Sequence, residues 1–270
     1  MTRRNSAIAG VGLVVLVLGG WFFLRTQRND VSYVGTRAAP PQIASAEPIA
    51  SGATRYQVTE AGTARFFIDA PLEKIKGRSV VLRGNLDTDP SDLSKSRGEV
   101  DVDLAALKTE TFSDAEKNAA QTGHSHNWLE IGLDVPAEAR EQNRWARFTI
   151  GSVDSATPNR VADAPEIDGV RMVKIAANGR LWLHGVMSPK TVKLTASFTG
   201  PVATPVLVHV VSDEPFGVSL KEHDIKPRDV AGKFLNGALE RVGKKIDDNV
   251  QVSLDWMARP SGAMGGHLGR

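Results

Sequence analysis

Two histidines one residue apart, His124-Ser125-His126, are this chain's nearest approach to a metal-binding motif. On an extended backbone, residues two apart point the same way, so both imidazoles could grip one cation, with Glu130 as a third ligand. The pair, however, follows a predicted helix stop in a polar stretch, and no second histidine cluster completes a set of four ligands. His184 stands alone beside Gly185 at a turn, where hydrogen bonding to backbone suits it better than acid–base work. Asp101 and Asp103 share the outward face of one strand and read as solubility, since a glycosidase pair comes from segments facing each other across a cleft. Glu222-His223-Asp224 reads as a charged turn. There is no G-x-S-x-G elbow, and the absence of cysteine removes a thiol nucleophile, zinc-thiolate sites and disulfides together. These residue types favour binding over catalysis, and a metal-dependent hydrolase working through His124 and His126 stands third among the readings.

The elements that must position these residues are mostly strands. Val80, Leu82, Gly84 and Leu86 alternate with polar neighbours, as do Val100, Val102 and Leu104, then Ala146, Phe148 and Ile150. In Arg171 to Phe198 the alternation predicts three antiparallel strands meeting at two turns, one at Asn178-Gly179 and one at Met187-Ser188-Pro189-Lys190. A last strand runs from Val250 to Trp256. Ser113-Asp114-Ala115-Glu116 fits a capping box for a short helix stopped by Gly123, after which Asn127 to Ile131 reads as strand. A second helix is predicted over Asp229 to Val242. Many short strands with one apolar face and no βαβ rhythm indicate an all-β antiparallel barrel or sandwich with one or two short helices. Closure removes exposed edges, which favours the barrel in a chain with no cysteines to staple it.

Composition narrows the partners. The 33 basic and 31 acidic residues nearly cancel and are interspersed, so no basic stripe marks a nucleic-acid surface. The run Ala7 to Leu24 is uncharged and flanked by Arg3-Arg4 and Arg25; as a helix it spans roughly 27 Å, close to a bilayer core. An uncleaved signal anchor at 7–24 with a cytoplasmic stub at 1–6 is the expectation. A cleaved signal peptide is the alternative, though no small-residue cleavage triplet follows closely. Either way the rest is exported. Residues 25–54, rich in Ala, Pro and Ser, read as a tether, 55–257 as the folded domain, and the glycine-rich 258–270 as a disordered tail.

Against this background Gly179-Arg180-Leu181-Trp182-Leu183-His184-Gly185-Val186-Met187-Ser188-Pro189-Lys190-Thr191-Val192 resembles the hairpin motif of YceI-like proteins. Gly98 to Thr109, Arg147-Phe148-Thr149-Ile150 and Phe216-Gly217-Val218-Ser219-Leu220 resemble further segments of that family in the same order. The departure lies between Ser113 and Leu133, where the family's usual R-D-x-H-L pattern is missing. The resemblance implies a lipocalin-like antiparallel barrel, generally periplasmic, that encloses a polyisoprenoid or quinone-like lipid and needs no catalytic group or other cofactor. The localisation it implies, together with the apolar run, is the inner membrane, single-pass, with the barrel in the periplasm. The inward apolar set would line the tube: Phe66, Ile68, Leu82, Val100, Val102, Phe148, Ile150, Val173, Ile175, Leu181, Leu183, Leu194 and Phe198. The same residues would equally fill a solid core, and a filled-barrel interaction module at the membrane surface is the rival of a different class. The sequence names no protein partner.

Overall fold

The computed structural model describes residues 52–70, 73–226 and 249–261. In chain order the strands are β1 (Thr54–Ala70), β2 (Glu73–Ser79), β3 (Leu82–Thr88), β4 (Arg97–Asp103) and β5 (Lys108–Thr109). Two helices follow, α1 (Ala115–Trp128) and α2 (Ala137–Asn143). Then come β6 (Trp145–Thr157), β7 (Glu166–Ile167), β8 (Val170–Leu183), β9 (Val186–Thr199), β10 (Leu207–Ser212), β11 (Phe216–Ser219) and β12 (Asn249–Pro260). Every pairing is antiparallel. The circuit β1–β3–β4–β6–β8–β9–β10–β12 closes on itself because β12 pairs with β1, from Tyr56↔Pro260 to Phe67↔Gln251. Of the barrel or sandwich that alternation leaves open, this is the closed barrel, the choice that removing exposed edges favours.

Closure demands curvature, and the chain supplies it with bulges. Register shifts interrupt β1 between Val58 and Gly62, where two extra residues bend the strand, and β6 at Ile150/Ser152 and Val153/Ser155, with one extra residue each. The long strand β1 thereby serves two neighbours on one side, pairing with β3 near its start and with β2 near its end. Period-2 burial follows: on β9 Val192, Leu194, Ala196 and Phe198 are buried while Thr191 and Lys193 are exposed. The inward sets merge into one apolar cluster.

Several local expectations are corrected. Asn178-Gly179 is not a turn; it lies inside β8, and the residues predicted as three strands form one long hairpin, β8 with β9, paired from Val170↔Thr199 to Leu183↔Val186. The reversal is His184-Gly185, with φ 52° and 79°, the two positive angles a two-residue turn needs. Met187 to Lys190 is likewise strand. Gly179 has another reason to be glycine: an added Cβ would lie 2.3 Å from the Thr149 carbonyl and 2.6 Å from the Phe148 ring. The helix predicted from Ser113 to Gly123 starts one residue later, capped by the Asp114 carboxylate on the amides of Glu116 and Lys117, and runs through Gly123 to Trp128. Asn127 and Trp128 are therefore helical rather than strand, and the chain then turns at Glu130, whose φ is 55°. The helix α2 was not foreseen. Strand β12 continues to Pro260, past the predicted start of the tail at 258. The candidate membrane span at 7–24, residues 25–51 of the tether and the helix predicted at Asp229 to Val242 lie outside the described residues; among the described residues no helix is long and apolar enough to cross a membrane.

Candidate functional site

The apolar interior is the natural place to look for a ligand. All thirteen residues singled out from sequence fall in the barrel's apolar cluster: Ile68, Leu82, Val100, Phe148, Val173, Leu181, Leu183, Leu194 and Phe198 are buried, with Phe66, Val102, Ile150 and Ile175 packed partly buried against them. They do not all share one space. A cavity of about 30 Å3 lies between β3, β6, β8, β9, β10 and β12, and only Ile150, Ile175, Leu194 and Phe198 of the predicted set reach it. Its wall is completed by Leu86, Val153, Ala177, Ala196, Val210 and Trp256, with Thr88 and Ser96 the two polar residues. Those hydroxyls hydrogen-bond each other at 2.8 Å, so the wall is effectively carbon. Alternation could have pointed to Ala177 and Ala196, but small residues carry too little hydrophobic signal to be chosen.

At the turn end of the β8–β9 hairpin sits a second, polar constellation. His184, His223, Glu130, Asn143 and Ser188 are each at most 2% exposed. His184 Nδ1 donates to the His223 carbonyl at 3.0 Å, and its Nε2 lies 3.2 Å from Glu130 Oε2. Asn143 Nδ2 donates to the same carboxylate oxygen at 3.3 Å. His223 Nδ1 donates to the Leu183 carbonyl at 3.1 Å, leaving Nε2 to accept from the Ser188 hydroxyl. Burial holds the His223 ring below the usual histidine range, which suits this neutral arrangement. Thus His223 is no charged turn residue, and His184 makes the expected backbone bond together with an unforeseen carboxylate. The serine–histidine contact resembles half of a hydrolytic triad, but the histidine's other nitrogen is held by a carbonyl and both side chains are sealed from solvent. What the group does is tie the hairpin turn to the segments that carry Glu130 and His223.

His124 and His126 are on α1 rather than on extended backbone, so residues two apart point to different sides of the helix. His124 is exposed, whereas His126 is half-buried with its Nε2 at 3.2 Å from the Leu107 carbonyl. Glu130 is turned into the His184 network instead. Among the described residues no group of three or more His, Cys, Asp or Glu is placed to hold a metal.

Asp101 and Asp103 are also corrected, for neither is a solvated surface acid. Asp101 is 1% exposed and takes a two-pronged bond from Arg147, at 2.6 and 2.8 Å, with Arg83 at 3.1 Å. Asp103 is held by Arg144 at 2.8 Å. Beside them Glu99 is pushed up by burial, an effect that Arg147 partly offsets. Arg83 stacks on Trp145 with its guanidinium carbon 3.6 Å from the ring centre.

A closed antiparallel barrel with a carbon-lined cavity among its strands is the lipocalin-like class of fold. Residues 56–258 match the YceI-like domain, and the chain belongs to that family. Among solved structures, a polyisoprenoid binding domain from Saccharophagus degradans implicated in plant cell wall breakdown aligns at a TM-score of 0.50 and 15% identity, covering 77% of this chain and 98% of that one. Burkholderia cenocepacia BcnA aligns at 0.47 and 13% identity, over 74% of this chain and 98% of that one. No curated protein sequence matches the chain.

Proposed function

We propose that this chain binds an apolar lipid of the polyisoprenoid or quinone type inside its barrel, held at the inner membrane by the apolar run at 7–24 with the barrel in the periplasm. The observation that carries the reading is the interior itself, where the cavity wall is built from apolar side chains and its two hydroxyls are engaged with each other. Membership of the YceI-like family and the similarity in fold to a polyisoprenoid binding domain support the ligand class. Transfer of a prenyl chain from water to such a wall is worth roughly 25 cal/mol for each Å2 removed from solvent, with no covalent step.

Size sets the condition for entry. This cavity of about 30 Å3 is far below the roughly 300–1,000 Å3 typical of small-molecule pockets, so it takes up a length of lipid chain only if the side chains lining it move aside. The same tight packing favours the rival reading, a filled barrel that acts as an interaction module. Native mass spectrometry with organic extraction, on the exported full chain purified in a defined detergent, separates them. A co-purifying mass in stoichiometric amount, extracted as a prenyl lipid, is the expected result. A folded protein that stays ligand-free after incubation with prenyl lipids and quinones overturns the lipid reading in favour of the interaction module.

A further inference from the structure

We infer that the barrel end at which the chain enters β1 seats against the lipid bilayer through an uncharged patch on its outer surface. This rests on the reading above that the run at 7–24 anchors the chain in a membrane. Strand register fixes which side chains share that surface. Ile167 lies opposite Val170, Val170 opposite Thr199 and Thr199 opposite Leu207, so one row crosses β7, β8, β9 and β10 on the outer face. The next row is Met172, Ser197, His209 and Met257. Neither row holds a Lys, Arg, Asp or Glu. Charges resume in the third row with Lys174 and Asp255, the latter 2.7 Å from His209, and at the border with Asp168 and Arg259. Ile167 and Met172 are 59% and 54% exposed, and Val206, one residue before β10, is 51% exposed. Apolar side chains gathered on the wet face of a barrel mark a surface made for something other than water.

The position of the patch selects a bilayer as its occupant. Strand β1 begins at Thr54, at the same barrel end as the starts of β8 and β10 and the finish of β9 and β12. The Tyr56 hydroxyl donates to the Pro205 carbonyl at 3.0 Å, which ties the point of chain entry to the segment bearing Val206. Residues 25–53 connect the apolar run to Thr54, and a coil of that length spans roughly 30 Å, so this end is the one delivered to the headgroups. A patch without carboxylates leaves water for the headgroup boundary at little cost, and the exposed Arg259 at its border suits lipid phosphates. Leu133, 90% exposed, lies on the α1–α2 connection at the opposite end, beside Asp134.

The test exploits a chain without cysteine, in which any introduced thiol is unique. Single nitroxide labels are attached at Ile167→Cys, Val206→Cys and, at the far end, Leu133→Cys, in the full chain reconstituted into palmitoyl-oleoyl phosphatidylcholine vesicles. The ratio of oxygen to nickel-chelate collision rates should be severalfold higher for the labels at 167 and 206 than for the label at 133, because oxygen concentrates in hydrocarbon and the chelate in water. Adding Met172→Asp and Val206→Asp to the chain labelled at 167 should remove that excess while leaving the melting temperature unchanged, since a carboxylate resists leaving water. Equal ratios at the three labels on vesicle-bound protein overturn the docking, and an excess that survives the two aspartates overturns its assignment to this patch. Labels at 167 and 206 shielded from both reagents show a second copy of the chain on the patch and overturn the bilayer as occupant. A chain that fails to float with the vesicles, or is stripped from them by carbonate, instead sinks the anchored reading and this inference with it.

Discussion

At the scale of single residues the buried titratable groups work through their partners. His223 is the clearest case, because burial lowers its pKa and both ring nitrogens are committed in the neutral form. The half-buried His126 shifts in the same direction for the same reason. The unfolded chain takes up protons on these rings near the ordinary histidine value of about 6.5, while the folded chain resists until lower pH. Their contribution to stability is therefore full above pH about 6.5 and declines as pH falls below it. Urea midpoints measured from pH 8 to about pH 5 should drop, and more shallowly in His223→Gln than in the wild type; an identical pH slope in that variant would refute the role given to His223. The identities of these residues were readable from the sequence, but their burial was not. Glu222-His223-Asp224 has the composition of a surface turn, and only packing of the segment against Leu183 and Ser188 takes the imidazole out of water. Asp101 misleads in the same way, since alternation places it on the outer face while its two-pronged bond with Arg147 depends on a strand 46 positions away.

At the scale of elements, glycine shows why alternation was legible and turn position was not. Asn-Gly is a strong hairpin signal, but Gly179 answers a steric need: its missing Cβ leaves room for the Phe148 ring and the Thr149 carbonyl of the neighbouring strand. Gly169 has the opposite profile, a φ of 77° with open space around it. The same substitution should therefore have two magnitudes. Gly169→Ala should destabilise by about 1–2 kcal/mol, the cost of a left-handed conformation alone. Gly179→Ala should cost about 3 kcal/mol, because a backbone oxygen cannot give way as a side chain can. Chemical denaturation with unchanged m-values checks the order, and equal losses would show that the close approach at Gly179 is relieved elsewhere. The helix boundary at Gly123 follows similar logic: an exposed glycine with nothing within 4 Å of its Cβ position is tolerated in mid-helix, so α1 runs on and carries His124 and His126 onto different sides.

At the scale of the whole molecule, the barrel seam between β1 and β12 joins residues about 200 positions apart. If a prenyl lipid is the ligand, its binding to the folded barrel alone should raise the melting temperature by mass action, with about 2.7 kcal/mol of stabilisation at a hundred times Kd. Scanning calorimetry with and without a bound prenol measures this, and an unmoved transition under saturating ligand would count against binding in the interior. The sequence by itself determined the class of fold, the inward apolar residues and the family, because period-2 alternation and an ordered set of local motifs are properties of neighbouring positions. Tertiary structure alone decided the strand closure, the burial of Asp101 and His223, and the separation of His124 from His126. Each of those depends on residues far apart in the chain meeting across strands, where volume and hydrogen-bond partners are set by the neighbour rather than by the residue itself.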